Sequence, residues 1–177
     1  MKKILMTLAM GMMALTMNAQ MYIGGSVGFQ SVTPEVGDGE TSVQFVPEIG
    51  MQLNDQWGVG VQIGYISDKA GAYGLGAESA FSFSPYARYT AMKLKNVNLF
   101  FDGGFDYIQT KNAKVNAFGI GIKPGVAVNL NEKLSFVAHF GFLGYQTINP
   151  DGDDNNITNI GFDLDASELT FGLYYNF

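Results

Sequence analysis

The amino-acid sequence predicts an all-β protein: an eight-stranded antiparallel up-and-down transmembrane β-barrel. The last nine residues, from Leu169 to Phe177, alternate large apolar residues with small or polar ones. A period of two is typical of a strand with one apolar and one polar face. Seven earlier segments show the same alternation, and charges of both signs fall on their polar faces. An exposed apolar edge strand would promote aggregation in water. The pattern is explained if this strand closes a barrel and its apolar face meets lipid.

Composition limits the function classes. The chain has 177 residues, enough for one domain, with a net charge of −6 and no cysteine. The negative charge argues against nucleic-acid binding, which needs a basic face. Without cysteine, disulfides and thiolate metal sites are excluded.

The N-terminal segment resembles a secretory signal peptide. Lys2 and Lys3 precede an apolar run over residues 4–16. That run is shorter than the roughly 20 residues of a membrane-spanning helix, so a permanent N-terminal anchor is disfavoured. We expect residues 1–20 to be the signal peptide, cut after Ala19 or Gln20, and residues 21–177 to be the barrel domain.

The strands follow in order from the alternation. The eight predicted strands are residues 21–31, 43–53, 57–67, 80–92, 97–109, 116–130, 134–145 and 165–177. In the fourth strand, Phe81 and Phe83 alternate with serines and then with Arg88. In the seventh, the apolar face is expected to carry Phe140 and Phe142.

The links between the predicted strands alternate in length. Those near residues 54–56, 93–96 and 131–133 are tight, whereas those near residues 32–42, 68–79 and 146–159 are long and rich in Gly, Asp and Asn. Residues 110–115 form a shorter link. Short turns at one end and longer loops at the other are typical of outer-membrane barrels. Because the number of strands is even, both termini are expected at the same end, the short-turn end in the periplasm.

Three prolines recur once per predicted hairpin. Pro47, Pro85 and Pro124 each lie inside a strand that leads toward a short turn. Proline has no backbone N–H to donate to a ladder, so we expect a bulge or a missing hydrogen bond at each.

Charged residues on the polar face define a candidate interior cluster. Glu48, Arg88, Asp102 and Lys123 are expected to share one level inside the barrel, where they must be paired. His139 is placed on the inner face of the seventh strand, as a satisfied interior histidine. We expect no catalytic, cofactor-binding or metal site.

Aromatic residues mark both ends of the apolar face. The predicted lipid-interface aromatics are Trp57, Tyr89, Tyr175 and Phe177 near the turns, with Tyr65 and Tyr107 near the loops. The eight steps from Trp57 to Tyr65 span about 19 Å in a tilted strand, close to an apolar band of about 25 Å.

One loop has a partial resemblance to a calcium-binding loop. Asp151, Asp153 and Asn155 have its first spacing, but its twelfth position is Phe162 instead of the bidentate Glu. A solvated acidic loop is the preferred interpretation, and weak binding of a divalent cation is the alternative.

The chain resembles the small eight-stranded outer-membrane β-barrels, the OmpA- and OmpX-like or porin-family proteins. The resemblance is carried by residues 47–50, the turn at 53–57, the run at 118–125 and the terminal strand at 169–177. It implies an outer membrane of a Gram-negative bacterium, lipid as a partner, and recognition of the stretch from Leu169 to Phe177 by the barrel-assembly machinery.

The function predicted on these grounds is non-enzymatic, with a structural or surface-interaction role for a monomer without cofactors. Alternatives are a small pore or transport barrel, a lipid-modifying barrel enzyme, and a soluble lipocalin-like ligand carrier. A narrow eight-stranded lumen argues against a permanent channel.

Overall fold

The regular structure of the described part of the chain consists of strands. A computed structural model describes residues 20–32, 40–67, 78–111, 115–150, 157–163 and 170–177. The strands are β1 (Gln20–Val32), β2 (Glu40–Gln52), β3 (Trp57–Ser67), β4 (Ser79–Lys93), β5 (Val97–Lys111), β6 (Val115–Asn129), β7 (Leu134–His139), β8 (Phe142–Pro150), β9 (Ile157–Asp163) and β10 (Thr170–Asn176). The described segments include no helix that is long and apolar enough to cross a membrane.

The sheet closes on itself. Strands β1 to β6 pair in sequence order, each antiparallel to the next. Strand β6 pairs with both β7 and β8, which form two halves of the seventh barrel strand. Strands β10 and β9 pair with those halves and form the eighth strand, and β10 pairs with β1. The prediction of an eight-stranded antiparallel barrel is therefore confirmed.

The first six strands match their predicted bounds to within three residues, but the last hairpin is longer than expected. The predicted long link at 146–159 is wrong at both ends, because β8 continues to Pro150 and β9 begins at Ile157. Polar residues such as Gln146 and Asn159 suggested a loop, yet they pair across the ladder. Three predicted features lie outside the described residues: the signal peptide up to Ala19, the acidic loop with Asp151, Asp153 and Asn155, and residues 165–169 of the eighth strand.

Asparagine side chains close two of the tight turns. The Asn54 Oδ1 accepts hydrogen bonds from the backbone N–H groups of Gln56 and Trp57, at 2.9 and 2.8 Å. The Asn131 Oδ1 accepts equivalent bonds from Lys133 and Leu134, both at 2.9 Å. Such Asx turns satisfy backbone donors locally, so these links need few residues.

The prolines interrupt the ladders as predicted. In the β2–β3 ladder Val46 and Pro47 are unpaired. In the β4–β5 ladder Ser84 and Pro85 are unpaired. Pro124 remains paired with Phe101 of β5. On the other side of β6, the register with β8 is shifted by one residue relative to the register with β7.

This shift reverses the faces of the seventh strand. Gly141 has a φ of 75°, a left-handed conformation that favours glycine, and it lies at the break between β7 and β8. Beyond the break, Leu143 and Tyr145 are the exposed apolar residues. The prediction that Phe142 lies on the outer face is therefore wrong: its ring fills the space beside Gly121 and Gly144.

The barrel has a polar interior and an apolar exterior. Buried polar residues are Ser42, Glu48, Ser84, Arg88, Thr90, Asp102 and Ser135. Large apolar side chains such as Phe81, Phe101 and Ile120 are about half exposed on the outer surface. This distribution suits a barrel surrounded by lipid, because the hydrocarbon interior accepts apolar side chains and excludes charges.

Candidate functional site

A polar cluster crosses the middle of the barrel lumen. It brings together the predicted residues Glu48, Arg88 and Asp102, whose exposures are 4%, 6% and 4%. These residues come from β2, β4 and β5, and each occupies an inward position in the alternation of its strand. Arg88 and Asp102 are direct cross-strand partners in the ladder, so the register itself sets their contact.

Arg88 binds two carboxylates. Its Nε and one terminal nitrogen donate to the two Asp102 oxygens, both at 2.7 Å. The same terminal nitrogen lies 3.5 Å from the nearer Glu48 oxygen. Two parallel charge-assisted bonds are the strong, oriented form of this contact, and they hold the guanidinium across the lumen.

Aromatic rings enclose the same guanidinium. Its central carbon lies 4.0 Å from the centre of the Phe100 ring, and 5.2 to 5.6 Å from those of Tyr86, Tyr174 and Tyr22. The Tyr22 and Tyr174 rings are stacked, with centroids 5.3 Å apart. The rings add cation–π attraction and exclude water from the ion pairs.

Glu48 is held by neutral donors as well as by Arg88. The Tyr174 hydroxyl donates to it at 2.5 Å and the Gln62 amide at 2.8 Å. The Tyr86 hydroxyl also donates to this carboxylate. Tyr86 in turn bonds the Tyr22 hydroxyl at 2.6 Å, which links β1 to the cluster.

His139 completes the cluster from the seventh strand. Its Nε2 lies 2.9 Å from the Asp102 oxygen that also binds Arg88. Its ring meets Phe100 edge-on, with centroids 5.3 Å apart. The described partner of this histidine is a carboxylate instead of a serine hydroxyl, so the pair lacks the nucleophile of a Ser-His hydrolase.

Lys123 does not join the cluster at the shared level expected for it. It stands opposite Asp102 in the ladder, but its Nζ binds the Asp106 carboxylate at 2.8 Å. Asp102 is already occupied by Arg88 and His139, so Asp106 is the better partner. The Lys123 side chain is 34% exposed, in contrast to the buried Arg88.

The sequence prediction omitted several members of the cluster. Tyr22, Gln62, Tyr86 and Tyr174 all supply hydrogen bonds to it directly or through one another. A usable signal existed, because Tyr86 shares the polar phase of β4 with Arg88, and Tyr174 lies on the polar phase of β10. A tyrosine on the polar side of a barrel strand is a candidate interior hydrogen-bond donor.

The predicted interface aromatics lie on the outer surface at the two ends of the barrel. Trp57 packs against Tyr89, with ring centroids 5.0 Å apart, and Tyr175 meets Phe177 edge-on at 5.1 Å. These pairs lie at the short-turn end. Tyr65 and Tyr107, which are 56% and 36% exposed, lie toward the loops.

The cluster separates two spaces in the lumen. On the loop side, a cavity of about 20 Å³ is lined by Gln62, Ser84, Tyr86, Asp106 and Lys123, among others. On the short-turn side, a cavity of about 840 Å³ reaches down to Tyr22, Arg88, Phe100 and Tyr174.

The chemistry of the cluster is that of a saturated network. Within the described ranges, no buried side-chain donor or acceptor lacks a hydrogen-bond partner. The same residues contain no group of three or more His, Asp or Glu side chains placed to hold a metal ion. The groups of the cluster are bound to one another, which suits stabilisation of the barrel.

Comparisons with known proteins point to the same architecture. The family model described as outer membrane protein beta-barrel domain matches residues 4–177. The N-terminal β-barrel domain of Pseudomonas aeruginosa OprF is similar, at 12% identity and a TM-score of 0.54, over 89% of this chain and 97% of that one. Neisserial surface protein A is similar at 12% identity and a TM-score of 0.50, over 90% and 96%. No curated protein sequence matches the chain. At these identities, the structural likeness concerns the fold alone.

Proposed function

The chain belongs to the outer membrane protein β-barrel domain family, and we propose that it is a non-enzymatic integral protein of the outer membrane with a structural or surface-interaction role. The observation that carries this proposal is the saturated cluster around Arg88, which spans the lumen and leaves no unused catalytic group within it.

The cluster supports a structural role because it connects strands that are distant in the sequence. Glu48 on β2 accepts from Tyr174 on β10, and Arg88 on β4 bonds Asp102 on β5. His139 on β7 then bonds Asp102. Cross-links through the lumen oppose the separation of the first and last strands, the seam at which a barrel must close.

We further propose that the signal peptide is removed and that the mature chain is a monomer. The outward aromatic pairs at the short-turn end would contact lipid headgroups, and the terminal strand to Phe177 would engage the assembly machinery. The surface-interaction role would belong to the loops opposite the short turns.

A small pore is the second candidate, and one observation favours it. The cavity at the short-turn end reaches Arg88, so among the described residues the Arg88 cluster is the layer between this cavity and the small space above it. A rearrangement of the Arg88 side chain would be needed to open a path for ions.

Conductance in planar lipid bilayers distinguishes the two candidates. With purified refolded protein, the structural proposal expects no steady single-channel current, because the Arg88 cluster occludes the lumen. A boiled sample and an empty detergent sample serve as controls. A reproducible steady conductance from the native protein would favour the pore and contradict the structural role as the primary one.

A further inference from the structure

The larger lumen cavity, which we call the short-turn vestibule, has the dimensions of a ligand site. It encloses about 840 Å³ and is lined by Gln52, Thr90, Asn98, Asn129 and Asn176, with Arg88 at its floor. Small-molecule sites typically enclose about 300–1,000 Å³.

Carboxamides are the commonest polar side chains in the wall of the vestibule. Seven asparagine and glutamine residues line it. Asn129 and Asn176 are bridged by the Ser135 hydroxyl, at 2.9 and 3.0 Å. The side chains of Gln52 and Asn98 make no hydrogen bond to another described side chain. Each free carboxamide offers both donors and an acceptor to a ligand.

The rim of the vestibule is positively charged, in contrast to the chain as a whole. Lys93, Lys95 and Lys133 line it against the single acid Glu132, whereas the whole chain carries a net charge of −6. Asp55 approaches Lys93 only to 3.9 Å and is fully exposed. Arg88 is already neutralised by Asp102. The excess of lysines at this end therefore favours an anionic ligand.

We propose that the short-turn vestibule binds an acidic acetamido sugar. Hydroxyl and acetamide groups both donate and accept, so they match the carboxamide wall, whereas phosphate oxygens at neutral pH mainly accept and would leave the amide oxygens unused. The sugar carboxylate would meet the lysines of the rim. The site would face the periplasm, because it lies at the short-turn end and the short turns of outer-membrane barrels are periplasmic.

Two related sugars and one acid test the ligand class. The labelled protein, refolded in detergent micelles, is titrated with N-acetylmuramic acid, N-acetylglucosamine and lactate while side-chain amide NMR signals are followed. We expect saturable shifts with N-acetylmuramic acid, and at least 10-fold weaker binding of N-acetylglucosamine, which lacks the carboxylate. Lactate, which lacks the sugar ring, is expected to bind at least 10-fold more weakly as well.

Two glutamines on one strand provide a matched pair of variants. Gln52 and Gln44 both point inward from β2, four residues to either side of Glu48, so they lie on opposite sides of the cluster. Gln52→Ala and Asn98→Ala are each expected to weaken N-acetylmuramic acid binding at least 3-fold. Gln44→Ala is expected to leave it unchanged. The heat-dependent gel mobility of each variant verifies that the barrel is folded.

Each contrary result overturns the proposal. If N-acetylmuramic acid produces no saturable shift, the vestibule is not a site for this class. Equal binding of lactate would mean that the carboxylate alone is recognised. If an acidic dipeptide such as alanyl-glutamate binds as tightly as the sugar, the vestibule selects acidic peptides. Equal losses in Gln44→Ala and Gln52→Ala would place the binding elsewhere.

Discussion

Replacing Arg88 by methionine removes the central charge of the lumen while keeping most of the side-chain volume. Glu48 and Asp102 would then face each other's charge in a buried site without their cation. Breaking a buried ion pair by removing one partner typically costs about 3–5 kcal/mol. Glu48 retains its tyrosine and glutamine donors and Asp102 retains His139, so we expect about 3 kcal/mol, at the lower end.

Urea unfolding in detergent or lipid vesicles measures this change. The single tryptophan, Trp57, lies on the outer surface and reports the transition by its fluorescence. With an m value of about 2 kcal/mol/M, a loss of 3 kcal/mol lowers the urea midpoint by about 1.5 M.

A matched variant and a double variant isolate the cause. Lys123→Met removes a partly exposed cation with one carboxylate partner, so it should cost only about 0–1 kcal/mol. The double variant Arg88→Met, Asp102→Asn also removes a buried carboxylate that has lost its cation. It should therefore recover part of the unfolding free energy that Arg88→Met loses. If Arg88→Met is no more destabilised than Lys123→Met, or if the double variant shows no recovery, the reasoning about the cluster is refuted.

Three further predictions concern packing, orientation and assembly. Gly121→Ala should lower stability by about 1–3 kcal/mol, because its Cβ would lie 2.5 Å from the Phe142 ring. Gly103→Ala, whose Cβ would meet nothing within 4 Å, should be near neutral in the same urea titration, and equal effects would contradict the packing. Ile122→Arg places a charge on the outer face in mid-strand and should cost about 2–4 kcal/mol in vesicles. A change below about 0.5 kcal/mol would indicate a face in water. Phe177→Ser should reduce the assembled fraction in cells, measured by gel mobility without boiling, while the purified chain still refolds, and unchanged assembly in cells would argue against recognition of the terminal aromatic.

The alternation of side chains was sufficient to predict the barrel, because a strand in lipid must separate its apolar and polar residues. It could not predict the reversal after His139. Phe140 and Phe142 are both apolar and in phase in the sequence, and only the left-handed Gly141 and the register shift at Pro124 turn Phe142 inward. A one-residue shift moves every later side chain to the opposite face, so local patterns miss it.

The interior site was predicted in part for a similar reason. Charges on the polar face identified Glu48, Arg88 and Asp102, since buried charges require partners. The pattern did not determine which partner each charge takes. Lys123 binds Asp106 across the β5–β6 pair, and Tyr174 reaches Glu48 across the lumen, 126 residues away in the chain. Such contacts depend on barrel closure and on side-chain length, which a one-dimensional pattern does not contain.

The central claim is that the apolar face of this barrel meets the lipid of the outer membrane. Membrane fractionation, followed by gels of unboiled and boiled samples, tests it most directly. We predict protein in the Sarkosyl-insoluble outer-membrane fraction, with a mobility that changes on heating because a closed barrel resists detergent until it is unfolded. Recovery as a soluble periplasmic protein without a heat-dependent shift would contradict the claim.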